Sequence, residues 1–286
     1  MGQDDWSNLG VGVAVMVGPF LAFTLGTLVP LPDRRVVEWF AAFGRLHRSG
    51  VPLVRGRLSR VRWHRRIGAL LGATSAWAVA SWSVIVHRDG GPGWLWLLPL
   101  SGYVGGAVLA ELRALRWGPT PTRSAELTPR RVSDFVAPKV VPALVTISIV
   151  AAVTAFGAAL ADGSTLGGAL VLPACTVLAL VVALWSSRHL SEAPLRASED
   201  RDPYLDDAFR QTAIMTCLAA GGLIGVLVLG DAIGDLLPLE GWWQFGALAV
   251  VASLGLPCWV AIRQPVPWTF GPRIRAAWDA PVEPVP

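Results

Sequence analysis

Apolar residues are grouped along the chain in runs that lack a charged residue at their centres. Each run is about 20 residues long, the length of helix that crosses the hydrocarbon core of a bilayer. There are seven such runs, at 9–31, 67–87, 94–112, 139–161, 167–187, 212–234 and 243–262. The pattern predicts an all-α fold, a polytopic transmembrane helix bundle with seven spans that forms a single membrane domain over residues 1–286.

The polar segments between the runs differ in length and charge. Long segments at 32–66, 113–138 and 188–211, and a tail at 263–286, alternate with short turns at 88–93, 162–166 and 235–242. Of the 24 Lys and Arg residues, only Arg88 lies on the side of the short turns, which are otherwise acidic. Because basic residues are retained in the cytoplasm, we expect the N-terminus outside and the long segments and C-terminus inside.

The composition agrees with a membrane protein. Hydrophobic residues make up 53% of the chain and charged residues 15%, with a mean hydropathy of +0.52, whereas soluble domains have about 25% charged residues. The net charge of +4 does not indicate nucleic-acid binding, because the basic residues flank the apolar runs and form no groove-reading module. Three cysteines lie in three different runs, without metal or redox spacing.

Six arginines come directly before the second run. They are Arg55, Arg57, Arg60, Arg62, Arg65 and Arg66. Such a polybasic segment suits the anionic headgroups of a cytoplasmic leaflet. The same residues could instead serve only to fix topology, or could contact a protein partner.

Two other features of the polar segments predict contacts. Val36, Phe40 and Phe43, with Trp39 beside them, would lie on one face of a helix resting on the membrane surface. The segment 188–211 is acidic, and its Asp206 and Asp207 are candidates for lipid or partner contact. Alternatively, this segment pairs with the basic segment 32–66 or is a solvated, self-neutralising face.

Small residues spaced four apart predict close helix packing. The candidate pairs are Gly68 with Gly72, Gly102 with Gly106, and Gly221 with Gly225. They fit a compact bundle within one chain, or a dimer formed through one such face.

The sequence lacks the usual signatures of membrane chemistry. No ionisable residue lies at the centre of a run, where proton relays and ion-coupled transport need one. The last run has no lysine for retinal, the four histidines lie outside the run centres, and no nucleotide motif is present. We therefore expect no cofactor, no bound metal and no enzyme activity, although an interfacial enzyme using Asp134, Asp206, Asp207 or Glu111 is an open alternative.

Three segments, Gly102–Glu111, Leu127–Phe135 and Asp206–Arg210, resemble uncharacterised multipass membrane proteins of actinobacteria. The resemblance covers spans three to six. It implies a location in the bacterial plasma membrane and functional loops on the cytoplasmic side.

The leading hypothesis is a non-catalytic membrane scaffold or accessory subunit whose cytoplasmic loops engage anionic lipid or a cytoplasmic or membrane protein partner. The alternative is a permease-like subunit for an apolar or lipidic substrate. A proline in every outward-to-inward span favours the alternative, since kinked helices can line a cavity: Pro19, Pro99, Pro173 and Pro257. So does a possible parallel repeat at an offset of 74 residues. A cavity in such a permease would be lined by Thr146, Ser148, Thr154, Thr212 and Thr216.

Overall fold

The computed structural model describes residues 33–43, 51–87, 97–114, 130–163, 166–193, 203–236 and 242–279. These residues form helices and contain no strand, so the predicted helical class is confirmed for them. The helices are α1 Asp33–Phe43, α2 Val51–His87, α3 Leu97–Ala114, α4 Val132–Phe135, α5 Val140–Ala161, α6 Leu166–Ala169, α7 Val171–Glu192, α8 Pro203–Leu236, α9 Trp242–Arg263 and α10 Pro272–Asp279. A 3-10 turn, Pro267–Thr269, precedes α10.

The chain divides into two compact units. Unit 1 includes Arg55–Ala110, and unit 2 includes Asp33–Val54 together with the described residues from Glu111 onward. In unit 1, α2 and α3 pack antiparallel. Gly68 lies against Gly102, Gly72 lies against Leu98, and Gly106 lies against His64.

Glycine is required at this α2–α3 contact. A Cβ on Gly68, Gly72, Gly102 or Gly106 would overlap a backbone carbonyl oxygen of the opposite helix. Gly105, one residue away from Gly106, has no atom within 4 Å of such a Cβ. The helix backbones therefore touch along a single glycine face, which is how small residues bring helices together in membranes.

Unit 2 is organised around α8. Leu144 and Ser148 of α5 lie against Gly221 and Gly225, so α5 runs parallel to α8. Ala183 of α7 also lies against Gly221, and Arg210, near the start of α8, donates to the carbonyl of Leu190 at the far end of α7.

The helices α7 and α9 both run antiparallel to α8. For α7 this follows from the two contacts just given. For α9 it follows from Cys258, which lies against Gly222, and Val251, which lies against Gly230.

Three of the described helices are long and apolar enough to cross a membrane: Val140–Ala161, Val171–Glu192 and Tyr204–Gly234. They are α5, α7 and most of α8, and they correspond to the predicted spans four, five and six. In α9, predicted as span seven, the described apolar stretch is the shorter Val251–Arg263. The first predicted span, 9–31, lies outside the described residues.

Polar segments extend two helices beyond their apolar runs. We expected a loop at 32–66, but α2 begins at Val51 and continues without a break to His87. Likewise α8 begins at Pro203, nine residues before its apolar run. Arginine is a good helix former, so a run of arginines lowers hydropathy without interrupting a helix.

The predicted proline kink is wrong at one of the four positions. Pro173 is the third residue of α7, in a first turn whose backbone N–H groups have no helical partner, so proline fits there without a kink. Pro99 lies near the start of the described part of α3. Pro257 does lie inside α9. Pro19 lies outside the described residues.

Candidate functional site

The six predicted arginines all lie on α2, but they differ in exposure. Arg55 and Arg60 are exposed, Arg57 is buried, and Arg62, Arg65 and Arg66 are half-buried. Trp63 lies among them and is exposed. We call residues 55–66 the polybasic helix.

The half-buried arginines lie close enough to influence one another. Burial lowers the pKa of Arg62, and the neighbouring charge of Arg66 lowers it further. Burial also lowers the pKa of Arg66. Arginine stays charged far above neutral pH, so both side chains remain positive. The guanidinium of Arg65 lies over the ring of Tyr103, 5.9 Å from its centroid.

A second cluster surrounds the start of α8 in unit 2. Four segments meet there, and we call them the collar: 36–43, 130–137, 204–211 and 266–274. Aromatic rings join three of these segments. Trp39 packs against Phe209 with 5.3 Å between ring centroids, and Phe43 stacks on Phe270 at 5.0 Å. The Tyr204 hydroxyl donates to the Phe43 carbonyl oxygen at 3.0 Å.

These contacts correct the interpretation of Val36, Trp39, Phe40 and Phe43 as the face of a helix resting on the membrane. The buried face of α1 consists of Val36, Trp39 and Phe43, while Phe40 is only half-buried. That face is covered by Phe209 and Phe270 of the same chain. It is therefore not available as the lipid-facing side of a surface helix, because aromatic partners elsewhere in unit 2 bury it.

An ion network also joins three segments of the collar. Arg273 Nε donates to Asp207 Oδ2 at 2.7 Å, and Arg130 Nη1 lies 3.7 Å from Asp207 Oδ1. The side chain of Arg130 is 7% exposed and that of Arg273 34%. One carboxylate at the start of α8 thus binds two segments that are far apart in sequence.

Asp206 takes part in a neighbouring network. It accepts a hydrogen bond from Arg210 Nε at 2.9 Å, and Arg210 Nη1 donates to the carbonyls of Leu190 and Ala193 at the end of α7. Carbonyls at a helix C-terminus lack helical partners, so the buried guanidinium satisfies groups that would otherwise need water.

Backbone pairing ties the C-terminal segment to residues 135–137. Ala137 N donates to Thr269 O at 2.8 Å, and Gly271 N donates to Phe135 O at 2.9 Å. Gln211 Nε2 also donates to Thr269 Oγ1 at 3.2 Å. The 3-10 turn therefore contacts both the segment that leads into α5 and the start of α8.

The candidate acids are all engaged within the chain. Asp206 and Asp207, the candidates for lipid or partner contact, form ion pairs with Arg210 and Arg273. Asp134 Oδ2 accepts a hydrogen bond from the backbone N–H of Arg131 at 2.7 Å, and Glu111 is buried. An acid that must accept a partner or a substrate proton would first have to give up these bonds.

The residues proposed to line a cavity do not converge. Ser148 is buried against Gly225 and Thr216 is buried, but Thr146 is exposed on the outside of α5. Thr212 donates its hydroxyl to the Ala208 carbonyl of its own helix.

Sequence reasoning missed two groups of residues. Arg130 and Arg273 were counted only as topology signals, because nothing in the sequence pairs either of them with Asp207. The second group is a stripe of small residues on α7 that faces α8: Ala179, Ala183, Ser187 and Ser191. Their spacing of four is the same signal that identified the glycines.

Within the described part of the chain, no group of three or more His, Cys, Asp or Glu side chains could hold a metal ion. Cys175, Cys217 and Cys258 form no disulfide. No protein family, curated protein or solved structure matches the chain.

Proposed function

We propose that this chain is a seven-span scaffold or accessory subunit of the bacterial plasma membrane, with its N-terminus outside and its arginine-rich segments in the cytoplasm. In this proposal the cytoplasmic side engages anionic lipid headgroups and a protein partner. The observation that carries it is the distribution of apolar surface in unit 2.

That distribution separates a lipid-facing surface from a packed interior. Large apolar side chains are exposed along α5 and α7, among them Val150, Val153, Leu178 and Val181. In contrast, 83% of the most apolar part of α8 is buried within the structure. Exposed apolar faces on both sides of an enclosed apolar helix are costly in water and favourable in a bilayer.

The helix directions support consecutive spans. Helices that cross a membrane in succession must alternate in direction, and α5, α7, α8 and α9 do so: the first and third run parallel, and the other two run opposite to them. This order agrees with spans four to seven of the sequence prediction.

The scaffold hypothesis has more support than the permease alternative. The kink expected of Pro173 is absent, because this residue lies in the first turn of α7. Small residues fill the α8 contacts, and Thr146, one of the residues proposed to line a cavity, is exposed on α5.

The polybasic helix suggests which arginines contact lipid. If the membrane begins at residue 67, a rise of about 1.5 Å per residue puts Arg62, Arg65 and Arg66 within about 8 Å of the hydrocarbon. Arg55 is about 18 Å away along the same axis. The headgroup layer adds only about 5 to 7 Å on each side. We therefore propose that the inner arginines contact headgroups, while exposed Arg55 and Arg60 face a protein partner.

Topology is tested first, by cysteine labelling of intact cells in a variant that lacks the three native cysteines. Asp162→Cys, in the exposed turn after α5, should react with an impermeant maleimide from outside, and Arg60→Cys only after the cells are opened. Labelling of Asp162→Cys only in opened cells would overturn the orientation.

Function is tested by photo-cross-linking in the native host. A photoreactive residue at Arg55 or Arg60 should capture protein, and one at Arg62 or Arg66 should capture phospholipid. Exposed Arg188, outside the polybasic helix, is the control position. Recovery of a stoichiometric ATPase would replace the scaffold proposal with the permease one, and lipid alone at every position would remove the proposed partner.

A further inference from the structure

Trp268 is a large aromatic residue of the collar whose side chain is exposed. It is 59% exposed, although the next two residues, Thr269 and Phe270, are buried. The Phe270 ring is stacked on Phe43, and the Thr269 hydroxyl donates to the Val266 carbonyl. The turn therefore holds a large amphipathic ring outward on a fixed backbone.

Two hydrogen bonds define the level of this turn along unit 2. Ala137, whose N–H donates to Thr269 O, precedes the first residue of α5 by three positions. Gln211, which donates to Thr269 Oγ1, directly precedes the apolar run 212–234. Trp268 thus lies at the level where the apolar parts of α5 and α8 both begin.

The exposed charges on the two segments that pair at the turn are positive. On the two segments that pair at the turn, 130–139 and 263–275, the exposed charged side chains are Arg131, Lys139, Arg263 and Arg275. The acids in contact with these segments are already engaged, Asp134 with the backbone of Arg131 and Asp207 with Arg273.

We propose that Trp268 and these four basic side chains form a lipid-contact site at the cytoplasmic interface for an anionic phospholipid. The indole would occupy the headgroup level, which amphipathic rings prefer, and the basic groups would bind phosphate oxygens. The inference rests on the membrane placement proposed above, and it adds a site in unit 2 to the one on the polybasic helix.

Depth measurement tests the position of the indole. The full-length protein without native cysteines is reconstituted in vesicles of phosphatidylcholine and phosphatidylglycerol, with a nitroxide label at Trp268→Cys. Relative accessibility to oxygen and to a water-soluble nickel complex reports depth. Val181→Cys, exposed in the middle of α7, is the hydrocarbon reference, and Glu38→Cys, exposed on α1, is the water reference.

The expected depth for position 268 is between the two references, within the headgroup layer of about 5 to 7 Å. The label at position 268 could prove as accessible to nickel as the label at position 38, while the label at position 181 remains in the hydrocarbon. That result would overturn the lipid site alone. A water-accessible label at Val181 would instead overturn the membrane placement itself.

Lipid selectivity tests the charges. Replacing Arg131, Lys139, Arg263 and Arg275 by glutamine should lower the preference for spin-labelled phosphatidylglycerol over phosphatidylcholine by about twofold or more, since each basic group contributes to headgroup attraction. Arg34→Gln with Arg188→Gln, which removes two exposed arginines paired with Glu38 and Glu192, is the control. An unchanged preference in the fourfold variant would overturn the headgroup contact.

Discussion

Replacing Gly271 by alanine should detach the C-terminal segment from residues 134–136. A Cβ at this position would lie 2.5 Å from Val136 N and 2.6 Å from both Asp134 O and Phe135 C. Ordinary Cβ contacts begin near 3.4 Å. All three neighbours are backbone atoms, so no change of rotamer can relieve the overlap, and the segments must separate by about 1 Å.

The cost follows from what that separation breaks. The hydrogen bonds from Gly271 N to Phe135 O and from Ala137 N to Thr269 O measure 2.9 and 2.8 Å, and each is worth about 1 kcal/mol. Overpacking adds about 1 to 3 kcal/mol. A loss of roughly 3 to 5 kcal/mol lowers the melting temperature of a chain of this size by roughly 10 °C.

The assay is thermal unfolding of the full-length protein in detergent, followed by tryptophan fluorescence. Gly157→Ala is the matched control, because Gly157 lies in α5 and has no atom within 4 Å of an added Cβ. Alanine is favoured over glycine in a helix by about 0.5 to 1 kcal/mol, so this variant should melt at the wild-type temperature or above it. Equal melting temperatures for the two variants would refute the proposed role of Gly271.

Two further substitutions test packing and charge. Gly68→Ala should push α2 and α3 apart and shorten the half-life of the protein on heating. Gly105→Ala, on the same helix pair, should leave the half-life unchanged. Equal losses of half-life in the two variants would contradict the glycine contact. Asp207→Asn should destabilise the protein by about 2 kcal/mol, less than for a fully buried pair because Arg273 is one-third exposed. Glu192→Gln, which breaks an exposed ion pair, is the control and should lower the free energy of unfolding by less than about 1 kcal/mol. Similar denaturation midpoints for Asp207→Asn and Glu192→Gln would show that the ion network does not hold the collar.

The apolar helices of unit 2 could be predicted from hydropathy. The run at 139–161 corresponds to Val140–Ala161, and the run at 243–262 corresponds to Trp242–Arg263. Such runs are detectable because a lipid-exposed helix needs apolar residues on nearly every position. Hydropathy does not mark where a helix starts, so the polar beginning of α2 was assigned to a loop.

The collar could not be predicted in the same way. It is made of short segments, including the four-residue α4 and a three-residue 3-10 turn, which are too short to show a period. Its contacts join residues that are far apart in sequence, such as Phe43 with Phe270 and Asp207 with Arg273. Composition identified Asp207 as charged, but only the fold determines that its partner lies within the chain.

The enclosure of α8 has a consequence for the order in which the protein assembles. Synthesis proceeds from the N-terminus, so α5 and α7 are made before α8, and α9 is made after it. The face of α8 that carries Gly222 and Gly230 stays uncovered until Cys258 and Val251 arrive. Thr269 and Gly271 follow α9 and close the collar against residues that left the ribosome long before. A chain released before α9 is made would therefore leave the Gly222 and Gly230 face of α8 uncovered.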